Sequence, residues 1–290
     1  MGVTYQLYHD PRHFRDLVFP FLLENEAAHC LGLGVIHSLI HKPELHNDFQ
    51  LAAFFDDATA QLLGIAWVTS PQPLGVSQMP VACLPALMEF ASGLNHKPSG
   101  IAAPYVLAEG FKHAWMQREA CSVYNRFEQC IYELTEIQEP RFAPGRVRLA
   151  NAHDVAILSR WSWSFVVECG MAKGRDKGHV NGKSYARQAV HDKSRYVWEV
   201  DGKIVAMAGV QGHTPEGIRI SWVYTPPEHR CKGYASQLVA RVCEEQLANG
   251  KKRCFLYTDL ENPTSNHIYQ ELGFVPVASP LHYTFVYESR

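Results

Sequence analysis

The stretch Val223-Tyr224-Thr225-Pro226-Pro227-Glu228-His229-Arg230-Cys231-Lys232-Gly233-Tyr234-Ala235-Ser236 decides the reading of this 290-residue chain. It runs from an alternating strand through a proline turn into a basic, glycine-containing loop and then a helix. The prolines lack an N–H and stop the strand from pairing further. A helix start offers unpaired N–H donors and the positive end of the helix dipole, which together suit an anion such as a pyrophosphate. Gly233 lets backbone approach closely, and small Ala235 and Ser236 leave the helix mouth open. Arg230 and Lys232 add charge-assisted contacts.

Working outward, the C-terminal half is punctuated clearly. Arg146-Val147-Arg148-Leu149 reads as a short strand, and about 154 to 169 as an apolar-periodic helix. Arg195 to Val200 and Lys203 to Val210 alternate about an Asp201-Gly202 hairpin turn. Ile218 to Tyr224 is a third strand. Leu238, Val239, Val242, Cys243 and Leu247 recur at helical spacing, and Asn249-Gly250 closes that helix. Cys254 to Thr258 is another strand. Pro263 to Leu272 is a short helix with Asn262 as cap and Gly273 as stop, followed by a last strand region from Phe274 to Tyr287.

A second stretch, Thr258-Asp259-Leu260-Glu261-Asn262-Pro263-Thr264-Ser265-Asn266-His267-Ile268-Tyr269-Gln270-Glu271-Leu272-Gly273-Phe274, completes the signature. On a helix, Asn262, Asn266 and Tyr269 share one face, and Ile268 and Leu272 form the adjacent apolar stripe. Arg230-x-x-Gly233-x-Ala235 resembles the Arg/Gln-x-x-Gly-x-Gly/Ala coenzyme A signature of the GNAT superfamily of N-acetyltransferases. The second stretch resembles that family's Asn-x-x-Ser/Asn…Tyr-x-x-Leu-Gly-Phe segment. The resemblance spans Arg146 to about Tyr287. It implies an α/β (α+β) fold with a mixed, mostly antiparallel sheet flanked by helices.

The resemblance also implies an acetyl-CoA-dependent N-acetyltransferase with no metal, acting by direct attack of a primary amine in a ternary complex. The acceptor is then a small-molecule or amino-acid-like amine. A non-catalytic coenzyme A-binding regulatory module and a protein or peptide N-acetyltransferase are the alternatives. Ile218–Tyr224 is expected to splay from Cys254–Thr258, with pantetheine in the gap against free backbone near Val223 and Thr225. Tyr224, Arg230, Cys231, Lys232, Gly233, Tyr234, Ala235 and Ser236 complete the cofactor set with Asn262 and Asn266. Tyr269 is carried over by position as the acid for the departing thiolate. The family often places a Glu on the strand before the phosphate loop, and Ile218–Tyr224 has none. Glu199, Asp259 and Glu228 are candidate bases, with a water chain as the other option.

The N-terminal half repeats the same order loosely at an offset of about 145 residues. Leu51 to Phe55 and Leu62 to Thr69 imitate the hairpin. Leu84 to Phe90 reads as a helix, Ile101 to Val106 as a strand, Ala108 to Arg118 as a helix and Phe127 to Thr135 as a closing strand. The expected division is a degenerate GNAT-like domain over 1–140, a Pro/Gly linker, and a catalytic domain over 146–290. The stretch matching the phosphate loop, Gln78-Met79-Pro80-Val81-Ala82-Cys83, has neither arginine nor glycine, so one coenzyme A site per chain is expected.

Formal net charge of −2 gives no general attraction to nucleic acid. No run approaches the roughly 20 apolar residues of a membrane span. The first ten residues lack the basic start and apolar core of a secretion signal, so none is expected here. Eight cysteines without a C-x-x-C pair fit reduced thiols in a cytoplasmic protein. A homodimer is left open. Gly32-x-Gly34 is incidental. His37 and His41 have metal-compatible spacing but lack further ligands, and read with His46 as ordinary helical histidines. Trp161, Trp163 and Phe165 pack the core or wall the acceptor. Met171 to Gly182 reads as a loop able to close over substrate.

Overall fold

The computed structural model describes residues 2–169 and 182–288; the loop expected over Met171 to Gly182 lies almost wholly outside them. The N-terminal half opens on strand β1 (Val3–Tyr8). Asp10 then caps helix α1 (Pro11–Leu23) by accepting from the Arg12 amide at 2.8 Å, with Pro11 in the first turn, where its missing N–H costs nothing. Helix α2 (Cys30–His41) follows and carries His37 and His41. The hairpin β2 (Phe49–Asp56) and β3 (Leu62–Thr69) leads to β4 (Leu74–Val76), α3 (Leu84–Ser92), β5 (Gly100–Pro104), α4 (Tyr105–Arg118) and the long β6 (Cys121–Leu134).

The C-terminal half lays down the same order again. It runs β7 (Arg146–Leu149), α5 (Val155–Glu168), α6 (Gly182–His191), β8 (Arg195–Val200), β9 (Lys203–Gln211), β10 (Gly217–Tyr224), α7 (Tyr234–Ala248), β11 (Arg253–Asp259), α8 (Pro263–Glu271), β12 (Val275–Ala278) and β13 (Pro280–Tyr287). The β8–β9 turn has both central residues at positive φ, Asp201 at 48° and Gly202 at 75°, which matches strand twist and fixes Val200 opposite Lys203. In each half one parallel pair, β4–β5 and β10–β11, sits among antiparallel neighbours. That shared irregularity supports duplication better than any local similarity.

The strands join in one open sheet, ordered β1-β2-β3-β4-β5-β13-β6-β11-β10-β9-β8-β7, with β12 also pairing β6. The halves are stitched by exchange. The end of β6 pairs with β11, from Cys254↔Leu134 to Asp259↔Gln129. The chain's final strand, β13, lies between β5 and β6, with Leu281 opposite Ala103 on one side and Glu128 on the other. Leu281, Tyr283 and Phe285 thereby enter the N-terminal core with Phe111 and Trp115. Around β8–β10, one sheet face packs on Leu238, Val239, Val242 and Cys243 of α7. The other face carries Val197, Met207 and Tyr224 against Leu158, Trp161 and Ala186 of α5 and α6.

Most elements of the C-terminal half fall where sequence periodicity puts them, but helix α6 was not foreseen, and the last strand region divides into β12 and β13. In the N-terminal half, β5 stops at Pro104, whose fixed φ starts α4 three residues before the expected Ala108. β1, α1 and α2 are not legible: α1 contains Pro20, and α2 has two glycines and only a narrow polar side at His37, Ser38 and His41.

Candidate active site

The central feature is a split in the sheet. Parallel rungs join β10 and β11 from Gly217↔Arg253 to Ile220↔Leu256 and stop there, although both strands continue. The cause lies in β10. Its register with β9 shifts between Ser221 and Tyr224, and Trp222 takes φ 54°, a left-handed conformation that turns the strand aside. The backbone edges of Ser221–Tyr224 and Tyr257–Asp259 therefore face a gap, a ready template for an amide-bearing ligand.

The gap opens onto the start of α7. After a 3₁₀ turn over Pro227–His229, Cys231 and Gly233 adopt φ 60° and 78°, and Gly233 becomes the N-cap. The first helical bond is from the Gln237 amide to the Gly233 carbonyl at 3.0 Å, so the amides of Tyr234, Ala235 and Ser236 have no intrahelical acceptor. Arg230 is held in place at the rim. Its Nε donates to the Thr225 carbonyl at 2.8 Å, its Nη2 pairs with Glu168 at 2.7 Å, and its guanidinium lies over the Tyr224 ring. Lys232 Nζ donates to the Glu228 carbonyl, and both cations remain exposed. The Tyr224 hydroxyl meets Glu168 at 3.3 Å, and burial raises its pKa. Glu168, on the last turn of α5, is a rim residue that sequence reasoning missed. Periodicity placed it at a helix end but could not say which strand that end meets.

On the far wall, Asn262 caps α8 by accepting from the Ser265 amide at 3.1 Å. Asn266 Nδ2 donates to the Asp259 and Leu260 carbonyls, while its Oδ1 is buried without a partner. Ser221 Oγ and Thr225 Oγ1 are likewise buried and unpartnered. Orphaned buried polar atoms are costly and call for a partner. These three come from β10, the segment after it and α8, the elements bounding the gap, and suit a ligand rich in amides and hydroxyls.

Tyr269 lies below this, 8% exposed, with ring centroids 5.9 Å from Phe274 and 6.5 Å from Tyr132. Burial drives its pKa up, so the hydroxyl stays protonated at neutral pH. Of the three carboxylates expected as bases, Asp259 ends β11, where it accepts from the Glu261 amide in a turn. Glu228 is exposed in the 3₁₀ turn. Glu199 is not brought to the gap. It lies on β8 beside the edge strand, pairs with Arg146 and Arg148 at 2.7 Å each, and is held below the usual carboxylate range by the Arg148 and then the Arg146 hydrogen bond.

Aromatic residues gather on the α5–α6 side. Trp222 meets Phe165 at 5.2 Å and Tyr185 at 6.0 Å, while Trp161 packs into the core beside Tyr224. His37 lies 4.3 Å from His41 and 5.3 Å from His213, ring to ring, yet among the described residues no His/Cys/Asp/Glu group has metal-binding geometry. Among those residues no helix is long and apolar enough to cross a membrane. In the N-terminal half, β4 passes to α3 through the Gln78–Cys83 stretch, with a 3₁₀ turn over Val81–Cys83.

A strand split opening onto a glycine-capped, basic helix start defines the acyltransferase class to which the sequence pointed, and residues 158–274 match the model of the Acetyltransferase (GNAT) family. The C-terminal half belongs to that GNAT acetyltransferase family, and the N-terminal half is a second, GNAT-like copy of the fold. Among curated proteins none matches the chain in sequence. An X-ray structure of a Drosophila protein aligns with 99% of this chain and 100% of its own at TM-score 0.72 and 11% identity. A tandem GNAT protein from the clavulanic acid biosynthesis pathway aligns over 98% of both chains at TM-score 0.57 and 11% identity. A GCN5-related N-acetyltransferase from Sphaerobacter thermophilus aligns over 99% of this chain and 97% of its own at TM-score 0.58 and 13% identity. At such identities the likeness is one of fold, and it extends over both halves.

Proposed function

We propose that the protein is an acetyl-CoA-dependent N-acetyltransferase acting on the primary amine of a small-molecule or amino-acid-like acceptor by direct attack in a ternary complex. The observation that supports this best is the continuity of the β10–β11 split with the open amides of α7. A pyrophosphate at the Tyr234, Ala235 and Ser236 amides, flanked by Arg230 and Lys232, would send a pantetheine arm along the free edge of β10. There its amides pair with backbone near Val223 and Thr225, and Asn266 Oδ1 and Thr225 Oγ1 gain partners. A β10 N–H beside the thioester carbonyl polarises it and holds the developing oxyanion.

Two proton transfers remain. The amine must shed a proton, and Asp259, ending the opposite wall in contact with solvent, takes it directly or through water. Glu199, occupied by two guanidiniums, is a poor acceptor. The departing thiolate has an intrinsic pKa of about 8.5, so a placed donor suffices, and protonated Tyr269 is that donor. The N-terminal half, lacking the basic loop, shapes the acceptor side. Thiol release from acetyl-CoA across a panel of amines tests the reading. Coenzyme A binding without thiol release toward any amine or peptide would instead support a non-catalytic binding module, for which the carboxylate-free stretch Ser221–Tyr224 is the favouring observation.

A further inference from the structure

Arg195, Gly209 and Ser221 form one row across β8, β9 and β10, since Gly209 stands opposite Arg195 on one side and Ser221 on the other. Arg195 is 4% exposed, and among the described residues it forms no ion pair. Its guanidinium lies against the face of Trp222 at 4.9 Å, and Nη1 has no hydrogen-bond partner. A Cβ built on Gly209 would stand 3.2 Å from that Nη1, so the missing side chain gives the guanidinium its room. Ser221 Oγ, at the other end of the row, is also buried and unpartnered. Burial lowers the Arg195 pKa only to about 10, which leaves the group cationic at neutral pH.

A buried, unpaired guanidinium is among the most costly arrangements a core can hold. The ring of Trp222 lies against it, and a second orphaned donor, Ser221 Oγ, stands in the same row beyond Gly209. That set fits an anion of one charge with two oxygens: a guanidinium fork for the carboxylate and a hydroxyl to complete it. The row also ends at the point where β10 leaves β11, since Ser221 and Trp222 are the first residues beyond the last rung at Ile220. Phe165 and Tyr185 flank Trp222 from the two helices on this face.

We propose that Arg195 and Ser221 form a carboxylate pocket beneath Trp222, so that the acceptor is a free amino acid or a closely similar amino carboxylate. With the carboxylate on Arg195 Nη1 and the Ser221 hydroxyl, the amine of such a molecule is directed past Trp222 toward the gap beside Val223. The choice of substrate class rests on the transferase reading; the anion pocket itself does not. A phosphate dianion fits less well, because among the described residues no second cation joins the row.

The test pairs binding with turnover. Calorimetry in the presence of coenzyme A, and thiol release with acetyl-CoA, are measured for the common amino acids, their amides and aminomethylphosphonate. Wild type, Arg195→Gln, Arg195→Lys and Ser221→Ala are compared. The expected result is at least about tenfold preference for one or more amino acids over the matching amide. Arg195→Gln should erase that preference while leaving coenzyme A affinity unchanged, and Arg195→Lys should restore part of it. Arg195→Gln should also melt no lower than wild type, since a buried unpaired charge is removed. Equal use of acids and amides, a preference for the phosphonate, an Arg195→Gln variant that keeps the preference, or failure of every probe to bind would each overturn the pocket. Arg195-dependent binding of amino acids without acyl transfer to any amine would overturn the transferase reading and leave the pocket standing.

Discussion

Ile220 and Leu256 form the last rung of the parallel ladder between β10 and β11, and the gap proposed to hold the pantetheine arm opens just beyond it. A parallel pair of this kind is ordinarily zipped along its shared length. Here the left-handed Trp222 shifts the β10 register against β9, and the strand's outer edge is left free where the loop to α7 begins. One strained residue thus supplies both an unpaired backbone edge and the aromatic face that covers Arg195.

The loop variants follow from this geometry. Gly233 sits at φ 78°, and a Cβ there meets Ala143 Cβ at 3.4 Å, an ordinary contact. Gly233→Val therefore costs the fold mainly left-handed strain, roughly 1–2 kcal/mol, while its branches crowd the open amides. Arg230→Glu reverses charge at the rim and sets a carboxylate against Glu168. Both variants are expected to lose coenzyme A binding by calorimetry while keeping the far-UV circular dichroism of the parent. Normal binding by either would reassign the loop.

The phosphate loop and α8 were readable because local chemistry fixes them: proline ends a strand, glycine caps a helix, asparagine caps the next. The split between Ser221 and Tyr224 was expected from family resemblance alone, because nothing in Ile218–Tyr224 marks Trp222 for positive φ. Arg195 was invisible as a buried charge. It opens a strand written Arg-Tyr-Val-Trp, where an exposed first residue is the ordinary expectation. The exchange of β13 into the N-terminal sheet was hidden for a different reason: Pro280–Tyr287 alternates as any closing strand would, and alternation does not say which edge it joins.

Acid should weaken the fold in a way traceable to His282. The ring is stacked on Phe127 with centroids 4.6 Å apart, its Nε2 has no partner, and burial lowers its pKa from 6.5 to about 4. Between those values the unfolded chain binds a proton that the folded chain excludes, so stability is fully present above pH 6.5 and falls as pH drops toward 4. One such proton contributes a slope of up to about 1.4 kcal/mol per pH unit. Urea melts across this window should show a shallower dependence for His282→Phe, and an unchanged slope would assign the acid sensitivity elsewhere, with His37 the next candidate.

The strand exchange predicts that the halves do not fold separately. A chain ending at Ala278 keeps every element of the proposed site but loses Leu281, Tyr283 and Phe285 from the N-terminal core and exposes the β5 edge. Phe285→Ala alone is expected to cost roughly 3–5 kcal/mol. The truncated chain should aggregate or lose its cooperative melt, and limited proteolysis should cut first within residues 1–118. A truncated protein that melts like the parent would show the exchange to be dispensable.

Tyr269→Phe separates catalysis from packing. The ring fills a buried position between Tyr132 and Phe274, and phenylalanine keeps those contacts, so the melting temperature should change little. Only the proton donor is lost. Burial keeps the hydroxyl protonated but also makes it a weaker acid, so its contribution comes from donating toward the thiolate as the carbon–sulfur bond breaks. General acid catalysis contributes about 10² to 10⁴ in rate, and kcat should fall within that range. KM for acetyl-CoA should hold, because the lost interaction belongs to the transition state and not to the bound ground state. Full turnover in the Phe variant would make Tyr269 a packed aromatic and pass thiolate protonation to water. A rise in KM at constant kcat would place the hydroxyl against the bound thioester instead.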